Sequence, residues 1–401
     1  MERGLGGEAK TRCAFVSTNS ISQGEQVGIL WNELFNKYHI KIHFAHRTFQ
    51  WSNEAKGNAA VHVVIIGFSN FDVDEKYLYE YDDIKAEPHE VKVKNISPYL
   101  IEGKDFAVIN RSTPICKVPE LKTGNKPIDD GNLIFIDEQK IDFLKKEPNA
   151  KKWMYPFLGA EEFINGNYRW ILFLKDITPT ELKQLPEVLK RVELVKQFRS
   201  NSKSAPTKKL ASFPTRFHTE NMPVTDFLVI PQVSSERRRI IPIAFLKPPI
   251  VCSDKLRLLT PSSLYHFGIL SSTMHMAWVR VVSGRLKSDY QYSVLTVYNN
   301  YPWPETPTEK QKQTVEEKAQ QVLDVRKQFP GSSLADLYDP LTMPPALVKA
   351  HNELDKAVDL CYRPQPFPSE TKRIEFLFEL YDRYTAGLFS EQKKKNKKKS
   401  M

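Results

Sequence analysis

Three sets of side chains have the types and spacing for chemistry. Asp83 with Glu90-x-Lys92 offers two carboxylates and a lysine, the donor set of a nuclease metal site. An exposed charged hairpin accounts for the same residues, because no apolar strand carries Glu90 and Lys92 into a core. His43, His46 and His62 could share a metal, yet the odd spacing of His43 and His46 puts them on opposite faces of a continuing strand. No metal is expected. Gly4-x-Gly6-Gly7 has the look of a phosphate loop, but such a loop follows a strand and opens a helix, and no strand precedes this one. Lys247-Pro248-Pro249-Ile250 and Met343-Pro344-Pro345-Ala346 read as turns.

Aromatic and basic residues mixed on loops carry more information. His46-Arg47-Thr48-Phe49-Gln50-Trp51-Ser52-Asn53 reads as a loop between two strands, with Phe49 and Trp51 as a stacking platform for a base. Arg237, Arg238 and Arg239 sit between two strand-like runs. Lys208 and Lys209 lie in a Ser/Thr/Pro-rich basic loop spanning 199–223. These five suit phosphates, which position a protein on nucleic acid without reporting its sequence. Arg285, Lys287, Gln291 and Asn299 offer the paired donors or amide forks that read base edges, with Tyr290 and Tyr292 placed to brace them.

The elements that must position these groups are mixed in type. Cys13–Val16 reads as a short buried strand. Ser22-x-x-Glu25 has capping-box spacing, and Val27, Leu30, Trp31, Leu34 and Phe35 mark one apolar helix face. Ile40, Ile42 and Phe44 alternate as in a strand, and the β-branched run Val61–Phe68 suits a strand buried on both faces. Strand, helix, strand, loop, strand is the trailing edge of an α/β sheet, too small to cover its own faces. Residues 71–94 read as linker or edge structure. Short strand-like runs follow at Leu133–Ile136, Trp170–Leu174, Phe227–Ile230, Ile240–Phe245 and Leu256–Leu259. Helices are expected at 308–329, 345–362 and 370–386.

Composition narrows the partners. Lys and Arg total 58 against 48 Asp and Glu in 401 residues; without the six lysines of 393–399 the balance is 52 against 48. The folded part is therefore only mildly basic. Four cysteines far apart, with no CxxC pair, argue against structural zinc and disulfides and suit a reducing cytoplasm. No apolar run approaches the roughly 20 residues of a membrane span.

The stretches AFVSTNSISQGEQV (14–27), IHFAHRTFQWSNEAKGNAAVHVVIIGF (42–68), FLGAEEFINGNYRW (157–170), LYHFGILSSTMHMAWVR (264–280), GRLKSDYQYS (284–293) and YNNYPWPE (298–305) resemble the MmeI-like family. Its members are Type IIL restriction–modification enzymes with an adenine-N6 DNA methyltransferase of the gamma class. The resemblance implies an α/β plus mixed α+β chain. Residues 1–70 would hold the trailing strands of a class I S-adenosylmethionine-dependent methyltransferase sheet. A mixed target-recognition domain would span 71–304, a helical C-terminal region 305–390, and a disordered Lys-rich tail 391–401. It implies S-adenosylmethionine as cofactor, double-stranded DNA as partner, and Phe49, then Trp51, as the aromatic stacked on a flipped adenine. The family's Gly-rich cofactor loop and Asn-Pro-Pro-aromatic motif have no match in this sequence. No residue takes a catalytic role by motif, and the chain is expected to be inactive alone, working beside a separate chain with the N-terminal methyltransferase half. A specificity subunit without chemistry, or the remnant of a truncated gene, accounts for the same sequence.

Overall fold

Nine residues, Val61–Ser69, form an inner strand of a five-stranded sheet, because β-branched side chains on both faces favour a strand enclosed by neighbours. The structure, a computed structural model, describes residues 10–51 and 61–399, with side chains up to residue 386. The Gly4–Gly7 run lies outside them. The sheet holds β1 (Cys13–Thr18), β2 (Lys41–Trp51), β3 (Val61–Ser69), β4 (Lys76–Glu80) and β5 (His89–Val93), in the order β1-β3-β2-β4-β5. β3 runs antiparallel to β1 and β2, and only β2 and β4 pair in parallel. Val64 and Ile66 are fully enclosed, and Gly67 leaves the space that the Phe44 ring fills.

Two expectations fail at the start of the chain. β1 is an edge strand and not a buried one: Phe15 is 62% exposed, since only β3 flanks it. The capping box at Ser22 is not formed. Its hydroxyl donates to Asn19 inside a short 3-10 turn, and α1 (Gly24–Tyr38) begins after it without a side-chain cap. α1 buries Val27 and Trp31, whose indole N–H donates to the Ile21 carbonyl at 2.6 Å, while Leu30 stays exposed.

Two compact units interleave along the chain. The first combines Met1–Lys117, Ala277–Pro304 and Gln365–Met401; the second combines Val118–Met276 and Glu305–Pro364. The first unit adds to its sheet an aromatic core in which Trp278 meets Tyr301, Phe378 and Tyr381. The last helix, Glu370–Lys399, continues through the lysine run expected as a disordered tail.

The second unit has two four-stranded sheets. One orders Ala244–Leu246, Phe227–Pro231, Leu256–Leu259 and Leu121–Thr123; the other orders Val251–Cys252, Met154–Leu158, Arg169–Leu172 and Ile134–Phe135. Only Ala244–Leu246 of the expected run 240–245 is a strand. Helix Glu309–Lys327 starts at Thr308, whose hydroxyl accepts from Gln311 N–H, and it turns Val315, Ala319 and Val322 inward. Val315 sits so close to Gly268 that a Cβ there would lie 2.6 Å from it.

Candidate nucleic-acid interface

The aromatic platform forms, but on strands. β2 does not stop at His46. Two register shifts, between Ile42 and Phe44 and between His46 and Phe49, absorb the irregular spacing, and Phe49 and Trp51 then pair with Val63 and Val61. The expected loop is thus strand as far as Trp51, and Ser52 and Asn53 lie outside the described residues. Phe49 stacks on Tyr81 at 5.2 Å and 16°, and His46 on Tyr79 at 4.3 Å and 9°. His46 Nδ1 and the Tyr81 hydroxyl share a hydrogen bond of 2.8 Å. Burial lowers the His46 pKa and raises that of Tyr81, so both are neutral near pH 7. Trp51 is 46% exposed, with its ring 6.2 Å from Phe49. These rings form an uncharged aromatic cluster of two stacked pairs tilted against each other, with Trp51 at its exposed end. Tyr79, on β4, and Tyr81, just after it, were missed in the sequence, because charged neighbours disguise that strand.

The predicted base readers fall in the same unit. Gly284–Leu286 and Asp289–Gln291 form a hairpin, with Arg285 opposite Tyr290 and Lys287 at the turn with φ 57°. Arg285 lies 4.0 Å over the Tyr290 ring and donates to the Ser288 carbonyl at 3.0 Å and, at 3.4 Å, to Arg280. Lys287 is exposed and Gln291 partly so, and Tyr290 and Tyr292 are buried. The hairpin is seated on α1: Gly24 has φ +63°, and a Cβ there would lie 2.7 Å from Gly284 Cα. Asn299 does not join it. At 2% exposure its amide donates to the Arg111 carbonyl at 2.8 Å, and its own carbonyl accepts from Ile115 N–H. An amide fixed to buried backbone cannot reach a groove edge.

The expected phosphate residues belong to the second unit. Lys208 and Lys209 are exposed in the last turn of the short helix Ala205–Leu210, and Arg237 is exposed. Arg238 is half-buried and its N–H donates to Ser235. Arg239 instead binds Asn352 at 2.6 Å and Asp355 at 2.9 Å, which ties it to helix Pro345–Tyr362. The expected long loop after residue 199 is built around Arg199. This side chain is fully buried and donates to the carbonyls of Pro127, Ile128, Leu210, Phe213 and Arg216, at 2.7 to 3.3 Å.

Metal chemistry has no scaffold among the described residues. Glu90 accepts from Tyr79, Lys92 pairs with Glu75, and His43 Nε2 lies 3.0 Å from Ser69 Oγ. A nucleotide-type cofactor needs a glycine loop whose open backbone faces the ligand. Here the glycine at the start of α1 faces Gly284 instead. Gly24 therefore offers no open backbone to such a ligand.

Comparisons with known proteins give one pattern. Residues 102–305 match the model of the MmeI target recognition domain, 307–389 that of the MmeI C-terminal domain, and 4–80 that of the MmeI DNA-methyltransferase domain. The chain is 41% identical to DNA methyltransferase A of Bacillus subtilis (strain 168) over 93% of its own length and 42% of the relative's. A solved structure of the Type IIL restriction–modification enzyme MmeI in complex with DNA superposes with a TM-score of 0.86 at 49% identity. It covers 94% of this chain and 50% of the MmeI chain. The chain thus spans about half the length of either relative.

Proposed function

Because the chain belongs to the MmeI family, whose target recognition model matches its central half, we propose that it is the sequence-reading part of a site-specific DNA methyltransferase. The observation that carries this reading is the seat of the hairpin. Through Gly24 and Gly284 the recognition-type segment and the methyltransferase-type segment share one compact unit. A reading element fixed to the methyltransferase sheet couples the choice of sequence to presentation of the target base.

In this reading the partner is double-stranded DNA and the target is adenine N6. Trp51 and Phe49, with Tyr81 behind, stack on the displaced base. Arg285, Lys287 and Gln291 face base edges, while Lys208, Lys209, Arg237 and Arg238 face phosphates. Asn299 and Arg239 hold the scaffold. S-adenosylmethionine would supply the methyl group. We place its binding, and catalysis, with a polypeptide segment that carries the Gly-rich loop and the Asn-Pro-Pro-aromatic motif absent from this sequence. The compartment is the cytoplasm.

Selection from a randomised duplex library tests the reading. The chain should enrich one short sequence, and should add no label to DNA when given labelled S-adenosylmethionine alone. Failure to bind or enrich any duplex overturns the recognition role, and label in adenine would place the chemistry on this chain.

A further inference from the structure

A shallow cavity of about 540 Å³ in the second unit combines Lys122, Lys126, Lys255 and Arg257 with the polar side chains of Asn221 and Gln232. None of the four cations forms an ion pair among the described residues, and Asp254 is the one acidic residue lining the cavity. Exposed lysines elsewhere in this unit do pair, as Lys145 with Asp142, Lys190 with Glu187 and Lys327 with Asp324. Gathering four like charges around a single carboxylate is unfavourable unless a further anion joins them.

The cluster is built and not accidental. Arg257 is 7% exposed, and it stands on strand Leu256–Leu259 opposite Thr123. Its Nη1 donates to the Asp254 carbonyl at 2.7 Å, yet its buried Nε has no acceptor among the described residues. The buried guanidinium adds its charge to those of the three lysines, and an oxyanion held in the cavity would balance that charge. The backbones beneath the lysines are fixed. Lys126 N–H donates to Thr219 at 3.0 Å and its carbonyl accepts from His218, while the Lys255 carbonyl accepts from Gln232 N–H at 2.9 Å.

We propose that this cavity binds a backbone phosphate of duplex DNA, with Lys122, Lys126 and Lys255 around the phosphate and Arg257 beneath it. The assignment rests on the recognition reading given above, and adds four cations to the phosphate contacts.

The test is fluorescence anisotropy of the full chain with a labelled mixed-sequence duplex over a salt series. The combined variant Lys122→Gln, Lys126→Gln and Lys255→Gln is compared with a control of equal charge loss, Lys145→Gln, Lys190→Gln and Lys327→Gln. The cavity variant should bind at least roughly tenfold more weakly near physiological salt, with the salt slope reduced by about one unit, as for the loss of one phosphate contact. The control should keep the affinity of the unaltered chain. Equal weakening in both variants overturns the site, since net charge alone would then act. Unchanged binding by the cavity variant also overturns it. Inorganic phosphate, titrated at constant ionic strength, separates the sources. If it binds at the cavity while the lysine changes leave duplex binding intact, the site serves free phosphate and the DNA assignment fails. If the unaltered chain binds no duplex, the recognition reading itself fails and this site with it.

Discussion

Arg199 and Arg257 are both buried guanidiniums in one unit, and their surroundings differ. Five backbone carbonyls converge on Arg199, and every nitrogen of its fork donates. Arg257 has carbonyls for one nitrogen, an Nε without acceptor, and three lysines for company. The first cation closes the structure around itself; the second leaves a positive field open to an outside partner. A basic run in sequence does not separate the two cases. The basic loop is organised around an inward cation, whereas the cavity's charges come from positions far apart in the chain.

Removing each guanidinium gives the largest contrast. Arg199→Met should destabilise by about 4 kcal/mol or more, because several buried carbonyls lose their donor at once. Arg257→Met should change stability by about 1 kcal/mol or less. Chemical denaturation of the full chain measures both, and equal losses would erase the distinction.

Titration gives the next contrast. His275 is enclosed, with Nδ1 donating to the Leu270 carbonyl at 2.9 Å, and burial holds its pKa down at about 4. The unfolded chain binds the proton more readily. Stability from this group is complete above pH 6.5 and is lost as pH falls toward 4, by about 3 kcal/mol. His351 is driven the same way by burial first and then by Arg326 and Arg239. Asp355, raised by burial, works in the opposite direction. The effect is therefore read as the difference between the unaltered chain and His275→Gln at pH 7 and pH 4.5. Parallel losses in both proteins would rule out the buried neutral imidazole as a cause.

Much of the fold was legible because periodicity survives packing. Val61–Phe68 and the face of Val315, Ala319 and Val322 need only apolar spacing. Trp51 was misplaced because two register shifts interrupt the alternation that marks a strand. Asn299 was misread because an amide looks the same whether it faces DNA or a carbonyl nearly 190 residues away. Arg199 gave no signal, since its acceptors are carbonyls, which every sequence contains. Arg257 did give one: a lone arginine inside Leu256–Leu259 places a charge in an apolar strand, where it needs a partner.

Smaller effects concern contact with DNA. In an assembled enzyme, Trp51→Ala or Phe49→Ala should slow methylation about tenfold, from the loss of roughly 1–3 kcal/mol of stacking. Unaltered single-turnover rates for both would remove the aromatic cluster from the target site. Lys208→Ala should weaken binding a few-fold on all sequences and reduce the salt slope by about one unit. Arg285→Ala should instead relax choice at one base position, read by sequencing of selected duplexes. A uniform loss for Arg285→Ala would make it another structural cation like Arg199.

The contact of Gly24 with Gly284 has an engineering consequence. Gly24 admits no side chain without displacing Gly284, while residues 285–291 carry their own turn. The hairpin is thus a cartridge with a fixed base and an exchangeable tip. Grafting other residues at Leu286, Lys287, Ser288 and Asp289 should redirect sequence preference without refitting the rest of the molecule, provided Gly24 and the buried Tyr290 stay.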